Sequence, residues 1–585
     1  MDTSRVIEIW LFFGGRHEKK DVIRLLEKIA VYMELNLENP FKVSAYRKAA
    51  AALETDGRTL DEIPDFSELK GIGKGTNEVI AEFVKTGEST VLKELEDKVP
   101  SGLIRMLKLP TLGPKKIAKI HDALGISTLE DLKTACEAQK VSALSGFGKK
   151  TEENILKSIE TVLNRPERYP ISRILKFKKI ITDVIDIIPG VERYDMTGSG
   201  RRTKETSRDL DFIVKVEDYE LFTETMVNQS FVTDIVARGD KKLSVEIEHD
   251  FDEINVDFRF VNGEEYISTL QHFTGSKDHN VKMRQIAKAR GEKISEYGVE
   301  TPDGVKTFDS EAAFYNYFDL PYIPPSMRET GKETDIDVAQ IVKPEDIKGD
   351  LHMHTVYSDG AYSVRDMVET ARTIGYDYIV ITDHSKSLRV ANGLSDERLL
   401  EQLAEIRAIN AEYDDIDVYS GTEMDILADG TLDYSEILEQ LDYVIAAIHS
   451  SFQQSEEEIM HRLKSAMDNP YVRHIAHPTG RLIGVRDGYQ VNMDELFRYA
   501  KQTNTILEIN ANPQRLDLSS DVIANRDVMF TVNTDAHHTD HFDFMKYGVA
   551  TLQKAFVKKS QVLNTLTRAE FKAFINKSKQ SDINE

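Results

Sequence analysis

The sequence predicts a multidomain α/β protein: a helical N-terminal part, a central β/α segment and a C-terminal seven-stranded β/α barrel. Three observations predict it. Short amphipathic helices joined by a recurring glycine turn fill residues 20–165. Three aspartates, Asp209, Asp211 and Asp257, lie on two β-type runs between residues 166 and 325. From residue 349 onward apolar runs alternate with helical stretches, and most runs lead into a histidine or a carboxylate.

At 585 residues the chain exceeds what a single core can hold, so three or four domains are expected. A hydrophobic content of 40% with 30% charged residues is that of an ordinary globular protein. The single cysteine, Cys136, excludes a disulfide framework and a cysteine-based metal site, which suits a cytoplasmic protein. The run Ile9-Trp10-Leu11-Phe12-Phe13 is too short for a membrane span or a signal peptide. A net charge of −25 argues against a general nucleic-acid coat. Contact with DNA must be local, through backbone amides, helix N-termini, a few lysines and metal ions.

Residues 1–19 form an N-terminal extension that matches no recognised pattern. Helical regions 20–95 and 96–165 follow, and they share the pattern apolar-x-Gly-apolar-Gly-Lys. It appears as Leu69-Lys70-Gly71-Ile72-Gly73-Lys74 and as Leu144-Ser145-Gly146-Phe147-Gly148-Lys149. A degraded copy, Leu109-Pro110-Thr111-Leu112-Gly113-Pro114-Lys115, has Thr111 in place of the first glycine. Each copy precedes a predicted helix, as in a helix-hairpin-helix. Glycines let the turn approach a phosphate, the next helix presents free N–H groups, and lysine adds charge. Gly71, Gly73, Lys74, Gly113, Lys115, Gly146, Gly148 and Lys149 are therefore candidate DNA-backbone contacts.

In residues 166–325, Asp209 and Asp211 begin an apolar strand and point to one face of it, roughly 7 Å apart. Asp257 lies on a second short run, which a neighbouring strand could bring onto that face. Three converging carboxylates repel one another unless a hard divalent cation, Mg²⁺ or Mn²⁺, neutralises them. Upstream, Gly198-Ser199-Gly200-Arg201-Arg202 offers amides and a hydroxyl to phosphate oxygens, and Arg202 offers a planar fork. This equipment suits phosphoryl transfer with two metal ions.

Residues 326–348, polar and preceded by Pro321, Pro324 and Pro325, predict an inter-domain linker. Residues 349–585 hold ten of the fifteen histidines and end in a basic helical stretch. His352, His354, Asp359, His384, Glu423, His449, His477, Asp535 and His537 follow the strand rhythm. Nine candidate ligands at the C-terminal ends of barrel strands suggest two or three metals. Imidazole ligands favour Mn²⁺, Zn²⁺ or Fe over Mg²⁺. The run Ile506–Asn510 fits the rhythm but is assigned no ligand. Arg481 is a candidate for holding a substrate phosphate, and His461, His474, His538 and His541 are taken as structural or peripheral.

Both halves together resemble the bacterial family X DNA polymerases that carry a C-terminal polymerase-and-histidinol-phosphatase (PHP) domain. The motifs that carry the resemblance are Asn39-Pro40-Phe41-Lys42-Val43-Ser44-Ala45-Tyr46-Arg47, the glycine turns and the aspartate triad. Phe273-Thr274-Gly275-Ser276-Lys277-Asp278-His279-Asn280 and the nine barrel ligands complete the set. The resemblance implies a nucleotidyltransferase-type palm in which Asp209, Asp211 and Asp257 bind two catalytic metals. Ser199, Arg202 and Arg168 would then hold a deoxynucleoside triphosphate. Phe273 and Gly275 would flank its sugar, and Asn280 and Arg284 would face the base and the template. It implies gapped or recessed DNA as the other partner and gap filling in base-excision repair. The barrel would act as a Mn²⁺-dependent 3′→5′ exonuclease, with abasic-site activity as a further expectation, in a monomeric chain. Val79 stands where relatives with 5′-deoxyribose-phosphate lyase activity carry the imine-forming lysine, although Lys42 or Lys48 could substitute. Arg208 stands where a small residue often precedes the first catalytic aspartate. Two other readings are a phosphatase of small monoesters with a decayed polymerase half, and a non-catalytic DNA-end scaffold.

Overall fold

The computed structural model describes residues 19–577 apart from 57, 59, 61–62, 108, 110–111, 164–167 and 251. The chain divides into two compact units, Met1–Pro166 and Glu167–Glu585.

The first unit is helical, from Lys19–Leu35 to Lys149–Leu163. Leu26, Leu53 and Ile80 belong to the core of its first half, and Leu103, Ile117 and Ile155 to that of its second. Gly71 and Gly146 adopt φ of +122° and +89°, which a side chain rarely tolerates. Gly73 and Gly113 cap the helices Lys74–Thr86 and Pro114–Leu124, and Gly148 directly precedes Lys149–Leu163. A Cβ added at Gly73, Gly113 or Gly148 would meet nothing within 4 Å, so these helix starts are open to a ligand. Thr111 of the degraded turn and residues 1–18 lie outside the described residues.

The second unit opens with a five-stranded mixed sheet. Its strands are β1 (Val191–Met196), β2 (Asp209–Val216), β3 (Val232–Gly239), β4 (Lys242–His249) and β5 (Asp252–Phe260). The spatial order is β1-β2-β5-β4-β3, and β2 runs parallel to β5. Alternation along β2 sends Leu210, Phe212 and Val214 into a core with Phe177 and Ile181 of helix Ile171–Ile185 and Phe222 of helix Tyr219–Val227. Asp209 and Asp211 are left on the other face. A smaller module follows, built on helices Tyr266–Thr274 and Lys277–Ala289 and a three-stranded sheet.

Residues 326–348, expected as a polar linker, are a packed strap. Met327, Val338, Ile341 and Val342 are buried within it. Two of its charged residues, Arg328 and Glu333, are buried against partners outside the strap. The Arg328 guanidinium meets Glu311 at 2.5 Å, and Glu333 meets His279 at 2.7 Å.

The barrel follows as seven parallel strands in sequential order: β6 (Gly349–Asp350), β7 (Tyr378–Ile381), β8 (Asp417–Asp425), β9 (Tyr443–Ala447), β10 (Val472–Ile475), β11 (Ile506–Asn510) and β12 (Phe530–Asn533). Closure is nearly complete, since the His354 amide donates to the Ala536 carbonyl at 2.8 Å just beyond β6 and β12. The terminal helix Arg568–Asn576 brings Phe571 into a cluster with Tyr378, Tyr419 and Tyr443. Phe571 stacks on Tyr378 with ring centroids 4.0 Å apart. Replacing Phe571 by alanine should cost about 3–5 kcal/mol of barrel stability. A denaturant titration of the variant checks this, and an unchanged midpoint would show that the terminal helix is not part of the barrel core.

Candidate active sites

Parallel pairing sets the first site. The register places Asp211 of β2 opposite Asp257 of β5 and Asp209 opposite Asn255. All three carboxylates therefore share the sheet face that the hydrophobic core does not use. Burial, then the charges of Asp209 and Asp257, push the Asp211 carboxyl up to about 6. The Lys242 ammonium lies 2.7 Å from Asp257, a cation resting on one ligand of the set.

The glycine turn sits beside this face. A Cβ on Gly198 would stand 2.7 Å from an Asp211 oxygen, so glycine is required for this approach. Ser199 hydrogen-bonds Ser207 across the turn. Arg202 donates to the Thr274 carbonyl at 2.6 Å and to Glu329 at 3.2 Å. Gly275 makes room for it, since an added Cβ would lie 3.3 Å from the Arg202 guanidinium. The structure thus joins Ser199, Arg202 and Gly275 in one place. Arg168 reaches the same turn but is bound to Thr206. Phe273 lies under the Arg259 guanidinium, 4.2 Å from its ring centroid. Asn280 is engaged locally, donating to the His272 carbonyl at 2.7 Å. Arg284, with His272 and Tyr297, lines a cavity of about 780 Å³. Arg208 is exposed, and in the first unit Val79 is buried.

The second site collects all nine barrel candidates at the C-terminal ends of the strands. Glu423 is its hub, with nitrogens of His477, His384, His449, His352 and His354 at 2.8, 3.0, 3.2, 3.4 and 3.5 Å. Asp535 lies 3.2 Å from His354 and 3.4 Å from His352, and Asp359 lies 3.2 Å from His537. The side chains fall into overlapping groups: His354–Asp359–His384–His537, His352–His354–Asp535 and His384–Glu423–His449.

Their donor atoms fit metal ions. Nδ1 of His354, His384 and His477 and Oε2 of Glu423 are buried without a hydrogen-bond partner, although His384 and Glu423 approach to 3.0 Å. The facing pair, His384 Nδ1 and Glu423 Oε2, suits a shared cation. Burial opposes charge on His449, yet the Glu423 and Asp425 carboxylates push its pKa up to about 10. Burial, then His537 and His384, bring His354 down to about 3.

Sequence reasoning missed the carboxylates behind the ligands. Glu508, on the strand that was assigned no ligand, accepts from His352 Nδ1 at 2.8 Å, the His477 amide at 2.7 Å and Asn533 at 3.0 Å. His474 is buried 3.5 Å from it. Asp425 accepts from His449 Nδ1 at 2.9 Å. In the neutral rings that a metal requires, the His352 and His449 bonds keep the proton on Nδ1 and leave Nε2 for the metal side. The inward phase of Glu508 on β11, matching Glu423 on β8, was the available signal. Arg481, expected to hold a substrate phosphate, is committed elsewhere: it forks onto Glu205 at 2.7 and 3.2 Å and donates to the Arg515 carbonyl.

Comparison with known proteins identifies the family. The family described as DNA polymerase beta thumb matches residues 269–329, and the PHP domain family matches 350–512. Helix-hairpin-helix families match 17–89 and 103–161. The chain is 50% identical over 568 residues to the DNA polymerase/3′-5′ exonuclease PolX of Bacillus subtilis, covering 96% of this chain and all of that one. This chain belongs to the PolX family. It is also 21% identical to DNA polymerase lambda of Rattus norvegicus, over 52% of the chain and 56% of that protein. A probable phosphatase of Vibrio parahaemolyticus is 24% identical over 40% of the chain and 96% of its own length. Among the described residues of this PolX chain, no helix is long and apolar enough to cross a membrane.

Two predictions follow from the geometry. The folded pKa of Asp211 lies above its unfolded value, so its charge opposes folding once the pH exceeds the unfolded value near about 4. Asp211→Asn should therefore raise the melting temperature of metal-free protein at pH 7.5 and leave it unchanged near pH 4. Equal effects at both pH values would mean that the carboxylates do not crowd. Glu508→Gln should weaken Mn²⁺ binding roughly 10- to 100-fold, read as metal content after dialysis. Full metal retention would remove Glu508 from the support of the site.

Proposed function

We propose that this PolX chain fills short gaps in DNA during base-excision repair at the aspartate site and trims 3′ ends at the barrel site. The carrying observation is the register that sets Asp211 beside Asp257 on the face where the Ser199–Arg202 turn also lies. Asp209, Asp211 and Asp257 would hold Mg²⁺ or Mn²⁺, and the nine barrel ligands would hold two or three ions, Mn²⁺ first and Zn²⁺ or Fe next. Bound ions would neutralise phosphate charge and lower the pKa of an attacking hydroxyl or water.

The side chains of this chain do the rest. The triad fixes where charge can accumulate, and Asp257 accepts the proton of a primer 3′-hydroxyl. Ser199 and Arg202 orient the triphosphate, and Gly275 keeps Arg202 within reach of it. Glycine turns at Gly71, Gly113 and Gly146 present helix N-termini to the DNA backbone without reading sequence. We place the protein in the cytoplasm as a monomer that binds gapped or recessed DNA and deoxynucleoside triphosphates.

Asp257→Ala should lower gap filling at least roughly 100-fold while 3′-end degradation persists. His354→Ala or Glu423→Gln should do the reverse. Retained synthesis in Asp257→Ala, or loss of both activities in each variant, would refute the assignment of one chemistry to each site. The likeness of 40% of the chain to a probable phosphatase favours a second reading, hydrolysis of small phosphate monoesters. Faster turnover of p-nitrophenyl phosphate than of recessed DNA would establish it.

A further inference from the structure

The adjacent arginines of the glycine turn are partnered differently. Arg201 pairs with Glu311 at 2.7 Å, and Glu311 is buried and also held by Arg328 at 2.5 Å. Burial works against the Glu311 charge, but the two guanidiniums bring its carboxyl down to about 2. In that ion triad the shared carboxylate is held by two guanidiniums, one of them, Arg328, fully buried. Arg202 instead meets Glu329, whose side chain keeps 20% exposure. The same carboxylate also meets Lys204, so one anion bridges two cations of the turn at 3.2 Å each.

Glu329 arrives there from the strap and is fixed through its main chain. The Ser276 hydroxyl donates to the Glu329 carbonyl at 2.7 Å, and the Ser276 amide to the Arg328 carbonyl at 2.9 Å. The turn is clamped in place on its far side. Lys554 donates to the Thr203 carbonyl and Arg481 pairs with Glu205 at 2.7 Å, both from the barrel part of the chain. The turn backbone is thus fixed, and Arg202 keeps its bond to the Thr274 carbonyl when the Glu329 carboxylate, partly open to water, leaves.

We propose that Glu329 occupies the triphosphate position at Arg202 and Lys204 in the nucleotide-free enzyme, so that a nucleotide binds by displacing this carboxylate. The proposal rests on the reading of Arg202 as a triphosphate ligand. A single carboxylate offers two oxygens and one charge, and a triphosphate with its cation offers more of both, so exchange favours the nucleotide. The internal anion lowers apparent affinity by the fraction of molecules in which it is engaged. It also spares the fold two unpaired cations in the absence of substrate.

The test uses the full chain on DNA with a one-nucleotide gap and dATP as probe, with Ca²⁺ added to prevent turnover. Glu329→Gln and Glu329→Ala should both lower the dissociation constant of dATP, roughly five- to twentyfold. Arg202→Ala should raise it. A higher dissociation constant in both Glu329 variants would overturn the proposal, because Glu329 would then position Arg202 rather than compete for it. An unchanged constant in the Glu329 variants, with the expected loss in Arg202→Ala, overturns the displacement alone. No loss in Arg202→Ala overturns the reading of Arg202 and the displacement with it. Melting curves of both Glu329 variants confirm that the comparison is between folded proteins.

Discussion

Carboxylate repulsion across two parallel strands is the constraint on which the polymerase half depends. The β2–β5 register leaves no freedom: a core of Leu210, Phe212, Val256 and Phe258 holds one face, so Asp209, Asp211 and Asp257 must share the other. A one-residue slip would bury the acids and expose the core, which makes the register costly to change. The fold thus maintains an electrostatic deficit that it could relieve internally only with cations. It supplies Lys242 at the edge of the set and Arg259 nearby, and burial together with the remaining repulsion leaves Asp211 with a raised pKa.

The barrel solves a related problem with more ligands and deeper burial. Glu423 alone faces five imidazoles, and the acids outside the ligand set, Glu508 and Asp425, are spent on orienting His352 and His449. Parallel strands make this possible because their C-terminal ends collect on one side, while Phe571 and the tyrosines fill the barrel interior. The two centres are joined by more than sequence. The turn that carries Arg202 also carries Glu205, and Glu205 is held by Arg481, four residues beyond the barrel ligand His477.

Local patterns were legible in the sequence. The aspartates announced themselves by their spacing on an apolar run, and the nine barrel residues by their recurrence at strand ends. The glycine turns were readable because Gly71 and Gly146 need positive φ. Features that depend on distant partners were not. Glu508 resembled one more strand residue because its partner His352 lies 156 positions away. Residues 326–348 passed for a linker because Arg328 and Glu333 look solvent-loving until Glu311 and His279 are placed beside them. Arg481 and Arg202 show the same limit: a sequence identifies a guanidinium, but the acid that claims it comes from another part of the chain.

The most direct test of the account is a crystal structure of the full chain on gapped DNA with Mn²⁺ and a non-hydrolysable triphosphate, with ions located by manganese anomalous scattering. The account predicts two ions between Asp209, Asp211 and Asp257, with Lys242 withdrawn from Asp257. No anomalous peak at the aspartates, with Lys242 still seated on Asp257, would contradict it.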